Sequence, residues 1–87
     1  MTEYSVTLAD SVGKELRKLP SQVIERVQPK IRELAGNPRP PGCQKLHGYK
    51  NCWRIRVGDY RIVYTVDDFK KLVDITRVAH RSGGYER

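Results

Sequence analysis

Arg54, Arg56, Arg61 and Arg81 are the side chains of this chain whose type and spacing best suit chemistry. A guanidinium is planar, stays charged at any physiological pH and presents donors that match the oxygens of a phosphate. Arg54 and Arg56 alternate with Trp53, Ile55 and Val57, and Arg61 lies between Tyr60 and Ile62, on either side of Gly58-Asp59. A two-residue turn with glycine in first place suits a type II′ hairpin. It pairs Val57 with Tyr60, Arg56 with Arg61, Ile55 with Ile62 and Trp53 with Tyr64. The apolar pairs, with Trp53, Tyr60 and Tyr64 among them, then pack as core on one face, and the arginines share the other. Like charges directly opposite one another cost about 0.2–1 kcal/mol. The pairing makes sense if an anion normally lies between the guanidiniums; the plainer reading is a solvated face with splayed side chains.

A meander that continues past the hairpin returns its last strand beside Arg61, so His80-Arg81 leaves the sheet near that residue. The tail Ser82-Gly83-Gly84-Tyr85 can fold Tyr85 over the same face and offer a ring on which a base stacks. No Walker, Rossmann or HExxH signature is present, and Lys45-Leu46-His47-Gly48 is not a P-loop. With only His47, His80 and scattered carboxylates, neither a metal nor another cofactor is expected. Cys43 and Cys52 have no CxxC spacing and no second pair, and read as packing residues.

The elements that must position these residues are legible from periodicity. Tyr4-Ser5-Val6-Thr7-Leu8 alternates as a strand does. Asp10 or Ser11 can cap a helix carrying Val12, Leu16 and Leu19 on one face, ended by Pro20. Ser21 is a second N-cap candidate, before a helix with Val23, Ile24, Val27, Ile31, Leu34 and Ala35 on one stripe; Pro29 inside it predicts a kink or local irregularity. Residues 36–44, rich in proline and glycine, read as a connecting loop. Two strands follow around Gly58-Asp59, then a third over Leu72–Ala79 whose weaker alternation can hide a bulge. The order β-α-α-β-β-β predicts an α+β fold: an N-terminal strand, a helical hairpin on one face of the sheet, and a mostly antiparallel three-strand meander whose other face is bare.

Composition agrees with a polyanion partner. The 87 residues suit one domain over residues 1–87, and carry 17 basic against 10 acidic residues, a net charge of +7. The charge is uneven, about +2 over residues 1–44 and +5 over residues 45–87. A basic surface that only aids solubility or meets an acidic protein has the same composition. No apolar run approaches the length of a membrane span and Met1-Thr2-Glu3-Tyr4 lacks signal-peptide character, so a cytoplasmic protein is expected.

Lys45-Leu46-His47-Gly48, Cys52-Trp53-Arg54-Ile55-Arg56, Tyr60-Arg61-Ile62-Val63-Tyr64 and His80-Arg81 followed by Tyr85 together resemble the RelE toxins of the RelE/ParE superfamily. The Tyr-Arg-hydrophobe-hydrophobe-Tyr strand is common to the superfamily; the set Arg54, Arg56, Arg61, Arg81 and Tyr85 is more specific. The resemblance implies a RelE-like fold and a toxin that enters the ribosomal A site and cuts messenger RNA without a metal, by attack of a ribose 2′-hydroxyl on the adjacent phosphate. It also implies a RelB-type antitoxin that wraps the toxin in a hetero-oligomer. In that scheme Arg61 and Arg81 stabilise the phosphorane, Tyr85 stacks on a base or assists proton transfer, and Arg54, Arg56 and Lys45 hold the RNA phosphates. Well-studied members carry lysines where this chain has Arg54 and Arg56, and an arginine is scarcely a base. The proton acceptor is then His80, or positioning by the ribosome makes a strong base unnecessary. Two other functions fit the same residues: a ParE-type inhibitor of DNA gyrase, and a non-catalytic RNA-binding module.

Overall fold

In the computed structural model, which describes residues 3–82, seven elements follow one another. They are β1 (Ser5–Leu8), α1 (Asp10–Arg17), α2 (Ser21–Glu33), β2 (Gln44–Lys45), β3 (Cys52–Val57), β4 (Tyr60–Asp67) and β5 (Leu72–His80). The strands form one sheet in the order β1-β5-β4-β3-β2, antiparallel except for the parallel β1/β5 pair. The expected α+β class is correct. Missing from the expected order is β2, a two-residue edge strand at the end of the predicted loop, where Gln44 pairs with Arg54 and Lys45 with Trp53. No helix among the described residues is long and apolar enough to cross a membrane.

Both helix starts differ from expectation. Ala9 and Pro20 occupy the N-cap positions, and neither helix has a side-chain cap. The Ala9 N–H is still bonded to Ile75 O at 2.9 Å, so the chain passes from β1 into α1 with no residue left over for a separate cap. At α2, Pro20 already has the fixed φ that a helix entrance favours, and its carbonyl accepts from Val23 and Ile24. The predicted disturbance at Pro29 does not divide the helix, which runs unbroken from Ser21 to Glu33.

The hairpin register is as the two-residue turn dictates, including Arg56 opposite Arg61. Gly58 has φ +60°, as the first turn position requires. Val12, Val27, Ile31 and Leu34 from the helical side pack on Ile55, Val57, Ile62, Tyr64, Val66, Val73, Ile75 and Val78 from the sheet. Tyr64 is wholly buried and its hydroxyl donates to Pro38 O at 2.7 Å, anchoring the loop after α2. Burial pushes its phenol well above the ordinary value. Tyr64→Phe should cost about 1 kcal/mol in urea unfolding, the worth of one such hydrogen bond; an unchanged midpoint would show that the loop is held by packing alone.

A second anchor joins that loop to the β4–β5 turn. Arg39 donates two hydrogen bonds to the Asp68 carboxylate, at 3.2 and 2.7 Å, and its guanidinium lies 5.1 Å from the Trp53 ring centre. The Tyr4 hydroxyl donates to the same carboxylate. These bonds, Arg39 first and Tyr4 second, hold the Asp68 carboxyl down at about 2. The folded value lies below the ordinary one of about 3.9, so the stabilisation is complete above that value and is lost as pH falls through about 2. Asp68→Asn should therefore lower stability near pH 6 and flatten its decline between about pH 4 and pH 2, read as urea midpoints against pH. A parallel decline in both proteins would remove Asp68 from the acid response.

The predicted irregularity in the last strand is a β-bulge. Val63 pairs with Arg77 and Tyr64 with Ile75, leaving Thr76 as the extra residue, its hydroxyl donating to Val63 O at 3.2 Å. One extra residue shifts the alternation, so that both Ile75 and Val78 face the core while Arg77 and Ala79 turn to the opposite face. Beyond β1 this part of β5 would be a free edge. Glu15 of α1 covers it: the Val78 N–H donates to Glu15 Oε1 at 2.8 Å, and Arg77 Nε lies 2.7 Å from Glu15 Oε2.

Candidate nucleic-acid interface

The face of the sheet away from the helices carries Arg54 and Arg56 on β3, Arg61 and Val63 on β4, and Arg77 and Ala79 on β5. Val63 is buried although no helix covers it; its cross-strand neighbours are Arg54 and Arg77, whose aliphatic stems can shield it while the charged ends reach outward. Two clefts open along this surface. The first, about 200 Å³, is lined by Arg56, Gly58, Asp59, Tyr60, Arg61 and Arg81. Three cations thus converge at the hairpin end of the sheet. The Arg81 N–H donates to Asp59 O at 2.7 Å, which fixes the chain leaving β5 beside the turn.

The second cleft, about 520 Å³, is lined by Gln44, Lys45, Leu46, His47 and Arg54. Gln44 stands opposite Arg54 across β2 and β3, and its side-chain oxygen accepts a hydrogen bond from the Arg54 guanidinium. Lys45 and Arg54 therefore belong to a neighbouring part of the surface and do not share the cleft of Arg56, Arg61 and Arg81. By register Lys45 stands opposite Trp53, on the other face of the sheet edge, so the cationic stripe runs across three strands, from Arg81 at the end of β5 through Arg61 and Arg56 to Arg54. Multiple contacts along such a stripe suit a polyanion.

His80 departs from expectation. Its strand partner is Tyr60, and its ring meets the Tyr60 ring edge-on at 5.2 Å, on the side of the sheet opposite Ala79. The Thr76 bulge is the reason, since the one-residue phase shift turns Ala79, and not His80, toward the arginine face. His80 Nδ1 also accepts the Ser82 N–H at 3.2 Å and lies 2.8 Å from Ser82 Oγ. Its ring does not line the arginine cleft. Tyr85 lies outside the described residues.

A model of the ParE toxin of the type II toxin-antitoxin system parDE matches residues 6–85. The mRNA interferase toxin RelE of Escherichia coli K12 is 39% identical over 80 residues, 90% of this chain and 83% of that protein. Toxin RelE of Mycobacterium tuberculosis is 30% identical over 83 residues, 94% and 86% of the two. Among solved structures, the archaeal RelE-RelB complex from Pyrococcus horikoshii matches with a TM-score of 0.82 at 31% identity, covering 94% of this chain and 98% of that one. The chain belongs to the RelE family of type II toxins. Its match to a ParE model reflects the wider superfamily, in which one fold carries more than one activity.

Two residues of this RelE-family surface were not singled out from sequence. Arg77 faces the same way as Arg54 and Arg61, but its alternation looks wrong until the bulge is placed, and Glu15 neutralises it. Asp59 serves the turn geometry, which hides that its carboxylate also lines the arginine cleft.

Proposed function

We propose that this toxin is an endoribonuclease that cuts messenger RNA in the ribosomal A site and so inhibits translation. The observation that carries the reading is the convergence of Arg56, Arg61 and Arg81 on one cleft, with Arg54 continuing the cationic face and Lys45 at the neighbouring edge. In the proposed reaction a ribose 2′-oxygen attacks the adjacent phosphorus and the bond to the 5′-oxygen breaks. The 2′-hydroxyl proton passes to water, and the departing 5′-oxygen takes up a proton to become a hydroxyl. A 2′,3′-cyclic phosphate remains on the upstream fragment and hydrolyses to a 3′-phosphate.

Arg61 and Arg81 stabilise the charge that builds on the phosphorane, and need no metal to do so. Arg56, Arg54 and Lys45 hold the flanking phosphates, and Tyr85 stacks on or orients a base. The position of the His80 ring disfavours it as the proton acceptor. Alignment of the 2′-oxygen with the scissile bond by the ribosome supplies much of the rate instead. A RelB-type antitoxin is the proposed partner, as in the P. horikoshii relative solved with RelB. A domain of charge +7 is a suitable core for an acidic segment that folds as it binds.

Expression without the antitoxin should arrest growth and create new messenger 5′ ends within translated codons, mapped across the transcriptome after induction. Intact ribosome-bound messenger together with gyrase inhibition or DNA breaks would replace this reading with the ParE one.

A further inference from the structure

The arginine cleft already contains an anion of its own. Asp59 is the one carboxylate among its described lining residues, and its Oδ1 lies 3.8 Å from Arg81 Nε. The pair is exposed, with both side chains about two-thirds accessible, so it adds little to stability. Its consequence is electrostatic. A phosphate seated between Arg56, Arg61 and Arg81 would sit within a few ångströms of a second negative charge. We propose that Asp59 is a built-in competitor for the phosphate position: it occupies part of the field of Arg81 in the free toxin and holds down the affinity of the cleft for nucleic acid that the ribosome has not positioned.

The turn alone does not demand a carboxylate. The position after Gly58 accepts any short polar residue, and the hydrogen bond that fixes Arg81 comes from the backbone carbonyl of Asp59, which a substitution leaves in place. The acidic group is therefore separable from the fold. A carboxylate a few ångströms from a phosphate at a protein surface repels it only moderately once solvent screens the pair, so the competition is measurable yet can be overcome by a correctly held substrate.

The inference rests on the phosphate-binding reading of this cleft, and the test separates the two. A fluorescent, uncleavable 2′-O-methyl RNA hexamer is titrated into purified toxin and its Asp59→Asn, Asp59→Ser, Arg61→Ala and Arg81→Ala variants at low and high salt. Asp59→Asn and Asp59→Ser should each bind about three- to tenfold more tightly at low salt, with the gain shrinking toward unity near 0.5 M salt as screening removes the carboxylate's influence. Arg61→Ala and Arg81→Ala should bind more weakly. If the arginine variants lose affinity while both Asp59 variants match or fall below wild type, the competitor role is wrong and the phosphate cleft stands. If the arginine variants bind as wild type does, both ideas fail together.

Discussion

Arg61→Ala and Arg81→Ala are each expected to slow messenger cleavage by about 100- to 1,000-fold, the loss typical when one preorganised donor to a developing oxyanion is removed. Growth arrest on induction should disappear with it. The fold should survive. Arg81 lies at the end of β5, held beside the turn through its backbone N–H, and neither Arg61 nor Arg81 belongs to the hydrophobic core, so trimming either leaves every core residue in place. Thermal midpoints that stay within a few degrees of wild type, measured beside ribosome-dependent cleavage rates, would separate loss of chemistry from loss of structure. Full toxicity in both variants would remove the arginine cleft from the mechanism.

The second large effect concerns Glu15, far from the cleft in sequence and outside it in space. Its carboxylate accepts the Val78 N–H at 2.8 Å and neutralises Arg77 at 2.7 Å, closing the part of β5 that β1 does not cover. Glu15→Ala would leave that donor without its acceptor and Arg77 without its counter-charge. The expected loss is about 1.5–3 kcal/mol in urea unfolding, the range for hydrogen bonds to charged groups. Glu15→Gln keeps an acceptor for Val78 and should lose about half as much. The same edge fixes the phase of β5, on which the position of Arg81 depends, so cleavage by Glu15→Ala should fall along with stability. Equal midpoints for wild type and Glu15→Ala would show that the bulge holds its phase without this clamp.

The hairpin was fully legible because a two-residue turn leaves a single register, and Arg56 opposite Arg61 followed from Gly58-Asp59 alone. The core faces of α1 and α2 were legible for the same kind of reason, a 3.6-residue stripe that only a helix can bury. What could not be read was anything set by contacts between distant elements. The caps predicted at Asp10, Ser11 and Ser21 were displaced because the sheet bond to Ala9 and the fixed geometry of Pro20 decide where the helices begin. The strand Gln44–Lys45 was hidden in a proline-rich loop, where pairing with β3 and not propensity makes it a strand.

The site shows the same division. Arg56, Arg61 and Arg81 were placed together correctly, because hairpin and meander geometry suffice to bring them to one end of the sheet. His80 was misplaced by one bulged residue, which reverses the face of every side chain beyond it. Arg77 was overlooked for the same reason, and Asp59 because a turn role concealed a second one. Arg54 lies on the arginine face but lines a separate cleft beside Gln44, and Lys45, paired with Trp53, reaches that cleft from the other face of the sheet edge.

The reaction leaves its signature on the ends of the RNA. Purified toxin added to ribosomes carrying a defined messenger should release an upstream fragment ending in a 2′,3′-cyclic or 3′-phosphate and a downstream fragment beginning with a 5′-hydroxyl, with the same messenger uncut by Arg61→Ala. A downstream fragment that begins with a 5′-phosphate, or a messenger left whole by the wild-type protein, would contradict attack by the 2′-oxygen at an arginine-lined phosphate.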